Sequence, residues 1–105
     1  MAFVEFENKI FHVDGDGHLV DFATWGPEWV EYIRNIQGLP ELTEEHWQLI
    51  HVLQTHYREH GTVPTARMMT KITGFKMTRI FELFPLGPGK GACKLAGLPK
   101  PQGCV

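Results

Sequence analysis

From Pro85 onward the chain changes character, because PLGPGKGACKLAGLPKPQGCV holds five Gly and four Pro among its 21 residues and few large apolar side chains. Proline interrupts helical hydrogen bonding and glycine raises the entropic cost of fixing the backbone. A stretch of this kind is expected to bury too little surface to be rigid. The packed domain must then come from residues 1–86, with 87–105 forming a mobile C-terminal arm. A short helical turn near Lys90 to Ala96 is compatible with that arm, but Gly97, Pro99 and Pro101 stop it from continuing.

The first 86 residues carry the punctuation of a mainly helical α+β domain. Val4 and Phe6, then Phe11 and Val13, alternate with polar neighbours around Asn8 and Lys9, and DGDG at 14–17 breaks the pattern ahead of Leu19, which predicts an N-terminal β-hairpin over about 3–20. PEWVEYIRNIQG predicts a helix from Pro27 to Gln37, with Trp29, Ile33 and Ile36 on one face and Gly38 as terminator. LTEEHWQLIHVLQTHYREHG predicts a longer one, with Thr43 as N-cap, Glu44 and Glu45 at the positive helix end, and Gly61 as the stop. Trp47, Ile50, Leu53 and Tyr57 would form its buried stripe. Two shorter helices follow: Thr65 to Thr73, with Met68, Met69 and Ile72 inward and Gly74 ending it, and Thr78 to Phe84, stopped by Pro85.

A chain of 105 residues with 43% hydrophobic residues and three Trp suits one domain with one core. No apolar run approaches the roughly 20 residues of a bilayer span, and MAFVEFENKI lacks the basic start and apolar stretch of a signal peptide, so a cytoplasmic protein without membrane insertion is expected. The net charge of -2 hides an asymmetry. Residues 1–60 hold eleven acidic and three basic side chains, and residues 61–105 hold one and seven. A basic C-terminal half favours thiolates over thiols and attracts anions.

Two cysteines are too few for a secreted disulfide scaffold, and both fall in the last 13 residues, outside the expected core segments. Cys93 and Cys104 are separated by ten residues that include Gly97, Pro99 and Gly103, so the arm can fold back and bring the sulfurs within bonding reach. Closing such a loop stabilises the oxidised form by only about 3 kcal/mol, which suits a reversible dithiol. Lys90, Lys94 and Lys100, with no acid after Glu82, are candidate supporting residues that raise the thiolate fraction. Two incidental exposed thiols are the plainer alternative.

Other constellations are weaker. HYREH at 56–60 matches H-x-x-E-H, with His56 and His60 on one helical face, but a zinc protease needs a third ligand and a large cleft, and this helix ends at Gly61. Asp14 and Asp16 suggest a calcium loop, yet Leu19 stands where that loop requires glycine. No metal site and no cofactor-binding motif is therefore expected. TARMMTKITGFKMTRIFELF could form a helix-turn-helix offering Arg67, Lys71, Lys76 and Arg79 to phosphates, which makes a DNA-binding regulator the alternative function. Weak or no nucleic-acid binding is the expectation, given a pI of about 6.3.

FPLGPGKGACKLAGLPKPQGCV, supported by LTEEHW at 42–47 and the hairpin pattern, resembles the DsrC/TusE family, and the resemblance covers nearly the whole chain. TusE-like members, which relay sulfur for tRNA thiolation, look similar but carry only the penultimate cysteine, here Cys104, so Cys93 points to the DsrC type. The resemblance implies helices with a helix-turn-helix-like core, a β-hairpin and a C-terminal arm that enters dissimilatory sulfite reductase. It implies a sulfur carrier of dissimilatory sulfur metabolism in which Cys104 accepts sulfur and Cys93 resolves it to a trisulfide or disulfide. The partners so implied are the alpha and beta subunits of the reductase, a membrane-bound thiol-disulfide reductase complex and sulfurtransferases. Sirohaem and the iron-sulfur cluster would belong to the reductase, and the chain would act as a co-substrate or as a sulfurtransferase.

Overall fold

The computed structural model describes residues 2–100. Strands β1 (Ala2–Phe6) and β2 (Lys9–Val13) pair antiparallel, with Phe6 opposite Lys9 and Ala2 opposite Val13. Glu7 and Asn8 between them both take positive φ, 50° and 66°, the turn whose twist matches that of the flanking strands. Strand alternation buries Phe11 and Val13 and leaves Phe3 and Ile10 exposed. In the loop that follows, the Asp14 carboxylate accepts from the N–H groups of Asp16 and His18 at 2.9 and 3.0 Å, so DGDG folds as an aspartate-held turn. Val13 and Leu19 then form a single bridge, which extends the hairpin to the expected limit.

Helix α1 (Pro27–Gln37) starts on its proline and ends where Gly38 adopts φ 68°. It buries Trp29, Val30 and Ile33, whereas Ile36 is 61% exposed. The buried arc is thus rotated towards Val30, and Ile36, expected inward, lies at its edge in the last turn. Helix α2 (Glu44–His60) opens at Thr43, whose N–H donates to His46 Nδ1 at 3.0 Å. The other ring nitrogen of His46 donates to the Leu83 carbonyl at 2.8 Å, so one buried histidine both caps α2 and ties it to the end of the next helix pair. Leu49, Ile50 and Leu53 are fully buried on α2. Trp47 and Tyr57, expected beside them, are only half-buried because Leu49 and His46 occupy the centre of the stripe.

Helices α3 (Ala66–Thr73) and α4 (Met77–Leu83) are joined through Gly74 at φ 78°, giving the helix-turn-helix-like part of a mainly helical α+β fold. The Thr65 hydroxyl accepts from Met68 N–H at 3.2 Å, as an N-cap should. Only Met69 of α3 is buried, while Met68 and Ile72 remain 41% and 39% exposed. A helix of eight residues packs a single edge, so the other two apolar positions expected inward lie beside that edge. Among the described residues no helix is long and apolar enough to cross a membrane.

The main departure from expectation begins at Gly87. Residues 88–93 form a π-helical turn (Pro88–Cys93), and apart from exposed Lys90 and half-buried Lys94 the chain stays buried through Leu98, with Ala92, Cys93, Leu95, Ala96 and Leu98 all at 0% exposure. A boundary between domain and arm at residue 87 is therefore misplaced, since the core extends to Leu98. Small residues make this possible. A Cβ on Gly91 would sit 2.8 Å from Phe84 Cβ, and one on Gly97, at φ 78°, would sit 2.5 Å from Trp25 Cδ1, so the absence of side chains lets the backbone lie directly against the core.

Candidate functional site

Packing a segment with so few apolar side chains against the core takes most of its backbone carbonyls wholly or partly out of water, and these need donors. Five side chains supply them. Gln37 Nε2 donates to the Lys90 carbonyl at 2.8 Å, Trp29 Nε1 to Lys94 at 2.7 Å, Trp25 Nε1 to Leu95 at 2.9 Å, and Gln54 Nε2 to Ala96 at 3.0 Å. The fifth is His18 Nδ1 against the Leu98 carbonyl at 2.9 Å. A carbonyl only accepts, so Nδ1 carries the proton. Each bond contributes about 0.5–1.5 kcal/mol net and would cost more to leave unmade.

Cys93 sits at the end of the π-helical turn with 0% of its surface exposed. Its carbonyl accepts from Leu98 N–H at 3.0 Å, so the segment doubles back on itself there and the His18 bond locks the return. The expectation that neither thiol belongs to the core is wrong for Cys93. Packing of Ala92, Leu95, Ala96 and Leu98 around the same turn draws it inside. Cys104 lies outside the described residues.

The three lysines singled out in the tail converge. Lys90, Lys94 and Lys100 line one cavity of about 300 Å³ with Asp16 and His18, and Lys94 Nζ donates to the Asp16 carbonyl at 2.8 Å. The hairpin-end loop 14–18 is thereby pinned to the C-terminal segment at two points, through Lys94 and through His18. Nothing in local spacing marks His18, Trp25, Trp29 or Gln37 as partners of that segment. Gln54 gives a weak signal, as a polar residue next to Leu53 on the buried face of α2.

The remaining candidates separate from this region. Arg79 bonds both Glu45 and Glu82, so one of the four cations offered to phosphates is already engaged by carboxylates. Its hydrogen bond holds the Glu45 carboxyl below its ordinary 4.5. The His56 and His60 rings approach to 4.5 Å between centroids on α2, and among the described residues no group of three or more His, Cys, Asp or Glu side chains is arranged to hold a metal ion.

These features define a small helical protein whose cysteine-bearing C-terminal segment is built into its core by distant side-chain donors. The chain belongs to the DsrC family, as the sequence model for DsrC-like proteins matches residues 5–105. It is 50% identical over 105 residues to the gamma subunit of dissimilatory-type sulfite reductase from Nitratidesulfovibrio vulgaris, with all of both chains covered. It is 34% identical to the sulfurtransferase TusE of Pectobacterium atrosepticum, covering 97% of this chain and 99% of that one. The fold matches the crystal structure of the oxidized gamma-subunit of dissimilatory sulfite reductase (DsrC) from Archaeoglobus fulgidus with a TM-score of 0.81 at 38% identity, covering 99% of this chain and all of the other.

Proposed function

We propose that the chain is a cytoplasmic sulfur carrier that serves a dissimilatory sulfite reductase, with Cys104 as the loading thiol and Cys93 as the resolving one. The observation that carries this reading is the full-length likeness to a sulfite reductase gamma subunit, in a match that spans both cysteine positions. Sulfur reduced at the sirohaem and iron-sulfur centre of the alpha and beta subunits would pass to Cys104. Where that sulfur still bears one oxygen, attack by the Cys93 thiolate displaces it as water and closes a trisulfide, which a membrane-bound thiol-disulfide reductase complex returns to two thiols with release of sulfide. The protein is thus a co-substrate, regenerated after each cycle.

The return step requires local opening of the C-terminal segment, because Cys93 is fully buried. Leu98 N–H bonds the Cys93 carbonyl, and Cys104 follows Leu98 by six residues, a span of about 20 Å when extended. A tether of that length allows Cys104 to meet Cys93 once the segment opens. Likeness to TusE makes relay from sulfurtransferases a related mode of loading at Cys104.

Intact-protein mass spectrometry after incubation with sulfite reductase, sulfite and an electron donor tests the reading. Wild type should gain sulfur and then lose reactivity to alkylation. Cys104→Ser should gain none. Cys93→Ala should hold sulfur on Cys104 without closing the internal bridge. Sulfur uptake by Cys104→Ser at the wild-type level would refute the mechanism.

A further inference from the structure

The cavity lined by Asp16, His18, Lys90, Lys94 and Lys100 has a composition that the cysteine chemistry does not require. Three lysines and one acidic residue, Asp16, line it, and among the described residues none of the three lysines makes an ion pair. Gathering three like charges around a single acidic residue is unfavourable, and a bound anion would relieve it. We infer that this cavity is a binding site for a small oxyanion, and, taking the sulfur-carrier reading as the guide to which one, that its ligand is sulfite or a related sulfur oxyanion.

The frame around the cavity is fixed before any ligand arrives. Asp14 holds the N–H groups of Asp16 and His18, Lys94 Nζ is anchored on the Asp16 carbonyl, and the Lys90 carbonyl is held by Gln37. His18 is 1% exposed and its Nδ1 donates to the Leu98 carbonyl, so the ring forms a fixed part of the cavity wall and the lysines supply the donors. The ammonium groups can supply several charge-assisted hydrogen bonds to the oxygens of a pyramidal or tetrahedral anion, the arrangement in which such bonds are strongest. The volume of about 300 Å³ admits an anion of this size with part of its hydration shell. Because the Lys90 and Lys100 side chains are exposed, affinity should fall as ionic strength rises. The site would hold a sulfur oxyanion beside the segment that carries Cys93.

The test is NMR titration of the full-length chain, reduced and under anaerobic conditions so that sulfite meets no disulfide, with sulfite, sulfate and chloride at matched ionic strength. Sulfite should give saturable shifts confined to the His18 ring and the side chains of Lys90, Lys94 and Lys100, with a Kd of about 1 mM or tighter. The double variant Lys90→Gln/Lys100→Gln, which alters two exposed side chains, should weaken binding at least about tenfold. Lys71→Gln/Lys76→Gln should leave it unchanged. Shifts that do not saturate, that spread over all lysines, that chloride reproduces, or that persist in the Lys90→Gln/Lys100→Gln variant would overturn the assignment. The carrier reading is judged separately, by sulfur mass gained at Cys104, so either can fail while the other stands.

Discussion

Replacing Gln54 with leucine should destabilise the protein even though it makes the core more apolar. Gln54 is 2% exposed on α2, and its Nε2 donates to the Ala96 carbonyl at 3.0 Å. Leucine fills a similar volume but donates nothing, so the Ala96 carbonyl is left buried and unpaired. The cost of such an orphan is about 1–3 kcal/mol. For a domain near this size each kcal/mol lowers Tm by about 4–8 °C. Urea and thermal unfolding followed by circular dichroism would measure the loss, with Gln48→Leu, an exposed glutamine on the same helix, as a control expected to change little. Hydrogen exchange adds a local readout, since the amides of Ala96 and Leu98 should lose protection in Gln54→Leu before the rest of the core does. If residues 87–98 were a tail laid on the surface, Gln54→Leu would be neutral or stabilising. A midpoint equal to or above that of the wild type would therefore refute the account of how this segment is held.

Gly97→Ala should cost about 1–3 kcal/mol, because the new Cβ meets Trp25 at 2.5 Å and the backbone holds φ 78°; the denaturation midpoint should fall. Cys93→Ser should be less stable than Cys93→Ala, since it places a hydroxyl at a fully buried position, and a comparison of their unfolding midpoints decides it. Alkylation of Cys93 in a Cys104→Ser chain should be far slower native than in urea, at a rate that follows local opening of the segment; equal rates would show that the thiol is accessible. The Glu45 carboxyl is held below 4.5 by its hydrogen bond to Arg79, so the pair's contribution is present above the unfolded value and is lost as pH falls through the lower folded one. Arg79→Gln should remove that acid-side component from the pH dependence of unfolding, and an unchanged acid limb would contradict it.

The helix boundaries and the hairpin were legible because their signals act within one turn of the chain. Pro27, Thr43 and Thr65 set helix starts, Gly38, Gly61 and Gly74 reach the left-handed conformation that ends them, and Asn8 accepts the positive φ of the hairpin turn. None of this needs knowledge of a distant residue. The faces were less legible, as Ile36, Met68 and Ile72 show, because periodicity gives the direction of an apolar arc but not its width. The same holds more strongly for residues 87–98. Their composition, rich in Gly and Pro and poor in large apolar groups, correctly denies them a core of their own. It is silent on whether other elements will cover them. The donors that do so stand 42 to 80 residues away in sequence for Gln54, Gln37, Trp29, Trp25 and His18. The chain alone therefore established the family and the two cysteines, whereas the burial of Cys93 and the meeting of three lysines with His18 were decided by tertiary structure. Hydrogen bonds to backbone carbonyls depend on position in space, and they leave no periodic mark in the sequence.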